Sequence, residues 1–193
     1  MGQRMFVAFH PPKAVTESLV TFLDGFPRVT WTNPKRWHVT LAFMGSVPED
    51  RVDDLAGRLR LGFAGADALM VRLFGAGCFP NPKRATVAWM RPQVVGGDAA
   101  LNVLAEVARR AAGEAGVEVD AKGFVPHLTV ARFKGGRNAS DLIGSLDSFQ
   151  SEPWLLDRVS LVASHRGGGA SGGAGGGVQH EVVETFRLQR QTA

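Results

Sequence analysis

Two short segments of the sequence carry the same pair of reactive side chains at the same spacing. Residues 37–43 read WHVTLAF and residues 126–132 read PHLTVAR, so in each segment a histidine precedes a threonine by two positions. An imidazole gains and loses a proton near neutral pH, and a threonine hydroxyl can donate a hydrogen bond. Two such pairs around one phosphorus atom would suit acid and base catalysis at a phosphodiester.

The candidate site therefore consists of His38, Thr40, His127 and Thr129. One neutral imidazole can accept a proton from the attacking oxygen while the other, protonated, donates a proton to the leaving oxygen. The hydroxyls can donate to the non-bridging phosphate oxygens and hold the group in line. This chemistry requires no metal ion, and we expect no metal or other cofactor.

Each motif lies in an apolar run that predicts a β-strand. Alternate residues of a strand point to opposite faces, so His38 and Thr40 share one face. The opposite face is expected to anchor the strand in the core, through Val39, Leu41 and Phe43. The second motif alternates in the same way, and the repeat predicts a duplicated fold whose two motif strands meet across a cleft.

Two further residues are candidates for substrate binding. Strict alternation places Arg132 with Leu128 and Val130, opposite His127, so without a β-bulge it is a structural or rim residue and not a phosphate ligand. Phe43 could stack on a nucleobase, although aromatic residues around a strand usually belong to the core. Both interpretations of each residue stay open at this stage.

The remaining patterns predict an α+β fold. Helices are expected over 13–24, 48–62, 98–115 and 140–149, the last with Ser140 as N-cap, and strands over 5–9, 37–44, 68–74, 84–90, 126–133, 158–164 and 181–188. Residues 75–83 are expected to form a long turn, and the glycine-rich residues 166–178 a mobile hairpin loop. We predict one domain, 1–193, with two pseudo-symmetric lobes, two mostly antiparallel sheets, helices outside and a central cleft.

Composition excludes several classes of protein. The single cysteine, Cys78, cannot form an intramolecular disulfide or a cysteine-based zinc cluster. No apolar run approaches the roughly 20 residues of a membrane span, and the apolar stretch near the start is shorter than we expect of a signal peptide. The sequence contains no phosphate-binding glycine motif. We therefore expect a cytoplasmic monomer that binds no membrane. The net charge of +4 favours a polyanionic partner, although only weakly.

The two motifs, HVTL at 38–41 and HLTV at 127–130, resemble those that define the 2H phosphoesterase superfamily. With the flanking segments MFVAF, FVPHLTVAR and EVVETFRLQ, the chain is most similar to the RNA 2',3'-cyclic phosphodiesterases, also called 2'-5' RNA ligases. The resemblance implies hydrolysis of a 2',3'-cyclic phosphate end of RNA to a 2'-phosphate. It assigns His38 as general acid and His127 as general base, roles that could be exchanged, with Thr40 and Thr129 holding the phosphate. The family also carries an arginine at the position of Arg132.

Three alternatives stay open: 2'-5' RNA ligation, hydrolysis of a smaller cyclic nucleotide, and a non-catalytic basic RNA-binding module whose histidines only contact phosphate. The other histidines, His10, His165 and His180, lack partners at metal-ligand spacing and are expected at the surface. The family often has an aromatic residue just before the last strand. This chain has His180 there and contains no tyrosine.

Overall fold

The computed structural model describes residues 2–97, 99–166 and 178–190. Its strands are β1 (Gln3–Phe9), β2 (Val39–Val47), β3 (Leu69–Phe79), β4 (Ala85–Val94), β5 (Leu128–Arg137), β6 (Trp154–Leu156), β7 (Arg158–Arg166) and β8 (Val178–Arg187). Its α-helices are α1 (Lys13–Leu23), α2 (Val52–Ala64), α3 (Ala99–Glu114) and α4 (Ser140–Leu146). The predicted helix start at Asp98 and residues 167–177 of the predicted glycine-rich loop lie outside the described residues.

The strands form one eight-stranded sheet in the order β6-β3-β4-β5-β2-β1-β7-β8. Neighbouring strands are antiparallel throughout, as the sequence predicted. The prediction of two separate sheets is wrong, because the two motif strands β2 and β5 pair with each other through Val39 and Leu128. Four strands lie on each side of this junction, so the candidate site is at the centre of the sheet.

All four helices pack on the same face of the sheet. Their apolar residues recur at helical spacing and join the strands in one buried cluster, to which the helices contribute residues such as Leu19, Leu59, Leu104 and Leu146. A smaller cluster of Phe6, Ala8 and Val162 lies on the opposite face of the sheet, and Phe43 packs against it. We call this opposite face the site face, because the helices leave it open to a ligand.

A β-bulge in β2 changes which side chains reach the site face. The register of β1 and β2 shifts by one residue at Leu41, so that Thr40 pairs with Ala8 and Phe43 with Phe6. Paired residues lie on the same face, and Ala8 and Phe6 both belong to the site face. The prediction that Phe43 anchors the helix-side core is therefore wrong, since the extra residue reverses the alternation after Leu41.

A matching bulge occurs in β5. The register of β4 and β5 shifts at Val130, so that Trp89 pairs with Thr129 and Val87 with Arg132. Trp89 and Val87 are alternate residues of β4 and share a face. Arg132 therefore lies on the site face with Thr129, and the structure supplies the bulge that alternation alone could not predict.

Three local predictions also need correction. The expected turn over 75–83 is mostly strand, because β3 continues to Phe79 and pairs with β4. The three-residue strand β6 was not predicted at all. Ser140 is the first residue of α4 and not its N-cap, because Ala139 holds the N-cap position without a side-chain hydrogen bond. The Asn138 Oδ1 atom accepts the hydrogen bond of the Ser140 backbone N–H at 3.1 Å.

The helices of the described chain are too short and too polar to cross a bilayer.

Candidate active site

The two motif strands meet at one residue pair in the middle of the sheet. Val39 of β2 pairs with Leu128 of β5, and both side chains are fully buried in the helix-side core. Because neighbouring residues of a strand point to opposite faces, the residues on either side of this pair point to the site face. Those residues are the histidines and threonines of the two motifs.

The antiparallel register crosses the two motifs. In an antiparallel pair, the residue before Val39 lies opposite the residue after Leu128, and the residue after Val39 lies opposite the residue before Leu128. His38 is therefore opposite Thr129, and Thr40 is opposite His127. Diagonal neighbours in such a ladder are about 7 to 8 Å apart, a spacing that admits one phosphate between two imidazoles. The imidazoles of His38 and His127 also interact electrostatically, because the charge of His127 contributes to lowering the pKa of His38.

Both catalytic candidates are held in the same tautomer by the same local contact. The Nδ1 atom of His38 lies 2.7 Å from the backbone carbonyl oxygen of Arg36, and the Nδ1 atom of His127 lies 2.7 Å from that of Val125. A carbonyl oxygen only accepts, so each Nδ1 carries the hydrogen and donates it. In the neutral ring this leaves the lone pair on Nε2, and Nε2 is the atom that can take or give a proton at a substrate.

Aromatic rings surround the imidazole of His38. The ring of Phe6 stacks on it with centroids 4.7 Å apart and an interplanar angle of 24°. The ring of His180, from β8, meets it edge-on at 5.3 Å and 79°, and His10 lies at 6.1 Å. The His38 ring therefore has little freedom to rotate, since Phe6 covers one face and a backbone carbonyl holds Nδ1.

The same surroundings make His38 hard to protonate. The pKa of His38 is lowered to about 4, and burial is the largest cause. The hydrogen bond to the Arg36 carbonyl opposes this lowering, and charge repulsion from the nearby imidazoles of His180, His10 and His127 contributes to it. In the unliganded protein His38 is consequently neutral at pH 7.

The imidazole of His127 rests against two aromatic residues of the neighbouring strands. Phe79 meets it edge-on at 5.0 Å and 89°, and the Trp89 ring centroid is 6.3 Å away. Trp89 is 6% exposed and lies over Gly77, where an added Cβ would overlap the indole. Glycine at this position thus leaves room for the Trp89 ring.

The pKa of His127 is also below its ordinary value. Burial is the main cause, the hydrogen bond to the Val125 carbonyl opposes it, and the positive charge of Arg132 lowers the pKa further. The bulge in β5 is what brings this guanidinium to the site face. Arg132 is exposed there, and its charge can act on an anionic ligand as well as on His127.

Both threonine hydroxyls of the motifs are available to a ligand. Thr40 and Thr129 are half-buried, and neither hydroxyl has a hydrogen-bond partner within the described part of the chain. Two unpartnered hydroxyls beside two imidazoles can donate to non-bridging phosphate oxygens.

Thr32, which the sequence did not identify as a candidate, connects the two motif segments by hydrogen bonds. The Trp37 indole N–H donates to the Thr32 hydroxyl at 2.8 Å. That hydroxyl lies 3.0 and 3.1 Å from the backbone carbonyl oxygens of Thr129 and Val130, and the Thr32 N–H donates to Val130 at 2.8 Å. Thr32 thereby satisfies the carbonyl groups at the bulge that sets the face of Arg132.

His180 is the second residue that sequence reasoning missed. It was expected at the surface, but it is half-buried and its ring contacts both His38 and Phe6. The sequence signal was its place just before the predicted last strand, 181–188, where the family often has an aromatic residue. In the described residues, no three His, Cys, Asp or Glu side chains are grouped as metal ligands.

A model of the 2'-5' RNA ligase superfamily matches residues 27–168, a range that contains both His-x-Thr motifs. The chain belongs to the 2'-5' RNA ligase superfamily. Within this superfamily, it is 30% identical over 166 residues to a protein of Aquifex aeolicus named RNA 2',3'-cyclic phosphodiesterase. The alignment covers 83% of this chain and 88% of the relative, and it confirms the resemblance that the motifs indicated.

Solved structures share the fold of this superfamily member over nearly its whole length. Escherichia coli LigT in its apo form has a TM-score of 0.74 and 20% identity, covering 97% of this chain and 98% of LigT. The protein TT0787 of Thermus thermophilus has a TM-score of 0.71 and 25% identity, covering 98% of this chain and all of its own. The likeness to LigT shows the fold alone.

Proposed function

We propose that this protein hydrolyses 2',3'-cyclic phosphate ends of RNA to 2'-phosphates, with His38 and His127 as its acid and base. The observation that carries the proposal is the crossed register at the centre of the sheet, which sets each histidine opposite the threonine of the other motif. The name of the Aquifex aeolicus relative supports the same reaction.

The proposed reaction is an in-line displacement at phosphorus. His127 accepts a proton from water through Nε2 as the water oxygen bonds to phosphorus. The bond from phosphorus to the 3'-oxygen breaks, and His38 donates a proton to that oxygen. The product keeps the phosphate on the 2'-oxygen and has gained one water. The same geometry accommodates the exchanged assignment, with His38 as base and His127 as acid.

The threonines and Arg132 act on the charge of the phosphate in this proposal. Thr40 and Thr129 donate hydrogen bonds to its non-bridging oxygens, and these bonds strengthen as negative charge develops. Arg132 supplies a fixed positive charge on the same face, and Phe43 lies there as a surface for the nucleoside. These groups hold the substrate while the imidazoles transfer protons.

The low pKa of His38 implies that the bound substrate helps to protonate this residue. A neutral His38 cannot donate a proton, and at pH 7 the unliganded His38 is neutral because its pKa is about 4. The negative charge of a bound phosphodiester favours the protonated imidazole and raises its pKa. Binding of the anion therefore brings His38 into the form that an acid requires.

The arrangement of the strands supports the two pseudo-symmetric lobes that the sequence predicted. Each half of the sheet has four strands, and the motif strand of each half lies at the junction. In both halves the bulge is at the third residue after the motif histidine, Leu41 in β2 and Val130 in β5. We interpret the two halves as the lobes of one domain, so that the substrate phosphate binds where the lobes join.

Mass analysis of a cyclic-ended oligonucleotide after incubation with the protein tests the proposed function. We expect a product that is one water heavier and forms at the same rate with EDTA present. It should comigrate with a 2'-phosphate standard and not with the 3'-phosphate isomer, which has the same mass. Binding of the RNA without any product would instead support a non-catalytic RNA-binding module and overturn the proposal.

Ligation is a second candidate, because the family model that matches the chain is that of 2'-5' RNA ligases. A 5'-hydroxyl that occupied the place of the attacking water would give a 2'-5' phosphodiester by the same proton transfers. Adding an oligonucleotide with a free 5'-hydroxyl to the same assay distinguishes the two, since only ligation gives a joined product.

A further inference from the structure

Two arginine and aromatic pairs extend the site face beyond His127. The Arg91 Cζ atom lies 5.9 Å from the ring centroid of Trp89, and the Arg72 Cζ atom lies 4.9 Å from that of Phe74. Phe74 is 40% exposed, although a large apolar side chain of a strand usually packs in the core. An exposed aromatic ring beside a guanidinium is a suitable surface for stacking a nucleobase.

Strand pairing shows that these residues share the site face. Trp89, Arg91 and Gln93 are alternate residues of β4, and Arg72 of β3 pairs with Gln93. The Nε and Nη2 atoms of Arg72 donate to the Gln93 Oε1 atom at 3.0 and 2.8 Å. This contact fixes the Arg72 guanidinium beside Phe74 without neutralising its charge.

The arginines on this part of the site face have no acidic partner. In the described chain, Arg72, Arg91 and Arg132 form no ion pair with a carboxylate, whereas Arg58 and Arg60 of α2 are paired with carboxylates. The described strands contain two acidic residues, Glu181 and Glu184, and both are in β8 at the far edge of the sheet. The positive charge here is therefore available to an anion.

We propose that single-stranded RNA upstream of the reacting end lies across β4 and β3, with its bases on Phe74 and its phosphates near Arg91 and Arg72. We call this the β3–β4 track. It rests on the proposed function, because His127 marks the position of the RNA end. From Trp89 to Gln93 the track is about 13 Å long, or about four stacking intervals of 3.4 Å.

The other half of the sheet offers a poorer path. Its comparable pair is Arg4 and Phe43, with the Arg4 Cζ atom 5.7 Å from the ring centroid. Phe43 packs on the cluster of Phe6, Ala8 and Val162 and is only partly accessible. The rings of His10 and His180 occupy the same side of the site, around His38. The observations therefore favour the β3–β4 track over this side.

Binding of a labelled eight-nucleotide RNA with a 3'-hydroxyl tests the proposal independently of turnover. We expect Phe74→Ala to weaken binding by about 5- to 150-fold, the effect of removing one stacking platform. Replacing Arg72 and Arg91 together by glutamine should reduce the slope of log K against log salt by about 1.4, at about 0.7 for each phosphate contact to a single strand. Leu61→Ala, which removes a more exposed apolar side chain on α2, is the control and should leave binding unchanged.

The variant Arg4→Gln decides between the two paths. If it weakens binding while Phe74→Ala and the double arginine variant do not, the RNA lies over β1 and β2 and the proposal is overturned. Equal affinity for the eight-nucleotide RNA and a mononucleotide would overturn it as well, because a track requires length dependence. If the variants behave as expected but no cyclic end is hydrolysed, the proposed function fails and the β3–β4 track stands.

Discussion

Val39 and Leu128 pair across the centre of the sheet, and each lies between the histidine and the threonine of its own motif. The pairing brings together two segments far apart in the sequence and fixes the relation of four side chains at once. A strand pair is a rigid support, so the two imidazoles keep their separation without relying on a mobile loop.

Removing either motif hydroxyl should weaken catalysis without affecting the fold. Valine has the shape and the strand propensity of threonine, so Thr40→Val and Thr129→Val delete one hydrogen bond to a charged phosphate. We expect kcat/KM to fall by about 10- to 150-fold in each, the equivalent of a charged hydrogen bond. Thr40→Ser should retain most of the activity. Wild-type rates in both valine variants would show that the hydroxyls do not touch the phosphate, and Thr21→Val on α1 serves as the control.

The pH dependence of kcat/KM should be bell-shaped and lie in the acidic range. In the proposed mechanism, the active form has one protonated and one neutral imidazole, and kcat/KM reports the pKa values of the free enzyme. The pKa of His38 is about 4 and that of His127 is below its ordinary 6.5. Both limbs of the kcat/KM profile should therefore have their midpoints below about pH 6.5. Substrate charge raises both pKa values, so the kcat profile should move to higher pH. Free-enzyme limbs above pH 7 would contradict this account of the site.

The contact of His180 with His38 should be visible in the titration of His38. In His180→Ala, the imidazole of His38 loses a neighbouring charge and gains access to water, and both changes raise its pKa. NMR titration of the His38 ring should show the increase in pKa, and the limb of the kcat/KM profile that reports His38 should move to higher pH. An unchanged or lower pKa would mean that His180 does not act on His38, and His165→Ala is the matched control.

The glycine beneath Trp89 should not tolerate a side chain. A Cβ at Gly77 would overlap the Trp89 ring, so we expect Gly77→Ala to lower the free energy of unfolding by about 1 to 3 kcal/mol. Activity should fall as well, because a displaced Trp89 no longer supports His127. Gly57→Ala is the control, since nothing lies within 4 Å of its Cβ position in α2 and alanine favours a helix. A fully stable and active Gly77→Ala would contradict the close packing of Trp89 on this residue.

Local sequence patterns were sufficient to find the motifs and most of the elements. The histidines could be identified because the pattern repeats, and the burial of Val39 and Leu41 followed from strand alternation. The helix α1 followed from the spacing of Val15, Leu19 and Leu23, which are buried as expected. These features depend on residues that are close together in the chain.

The features that the sequence did not predict depend on distant partners. Phe43 and Arg132 reach the site face only because of bulges, and a bulge is defined by the pairing of two strands and, in β5, is held by Thr32. His180 reaches His38 from the other end of the chain. The two halves join into one sheet where Val39 of β2 pairs with Leu128 of β5, and no local pattern signals this pairing.

A double-mutant cycle on His38 and His127 asks whether the two imidazoles act on the same phosphorus atom. Single-turnover hydrolysis of a cyclic-ended RNA would be measured for His38→Gln, His127→Gln and the double variant, with thermal unfolding as a check on the fold. We expect each single variant to be slower by about 100- to 10,000-fold and the double variant to be far less impaired than the product of the two, because both groups act on one phosphorus atom. Wild-type turnover in either single variant, or fully multiplicative losses, would contradict the account.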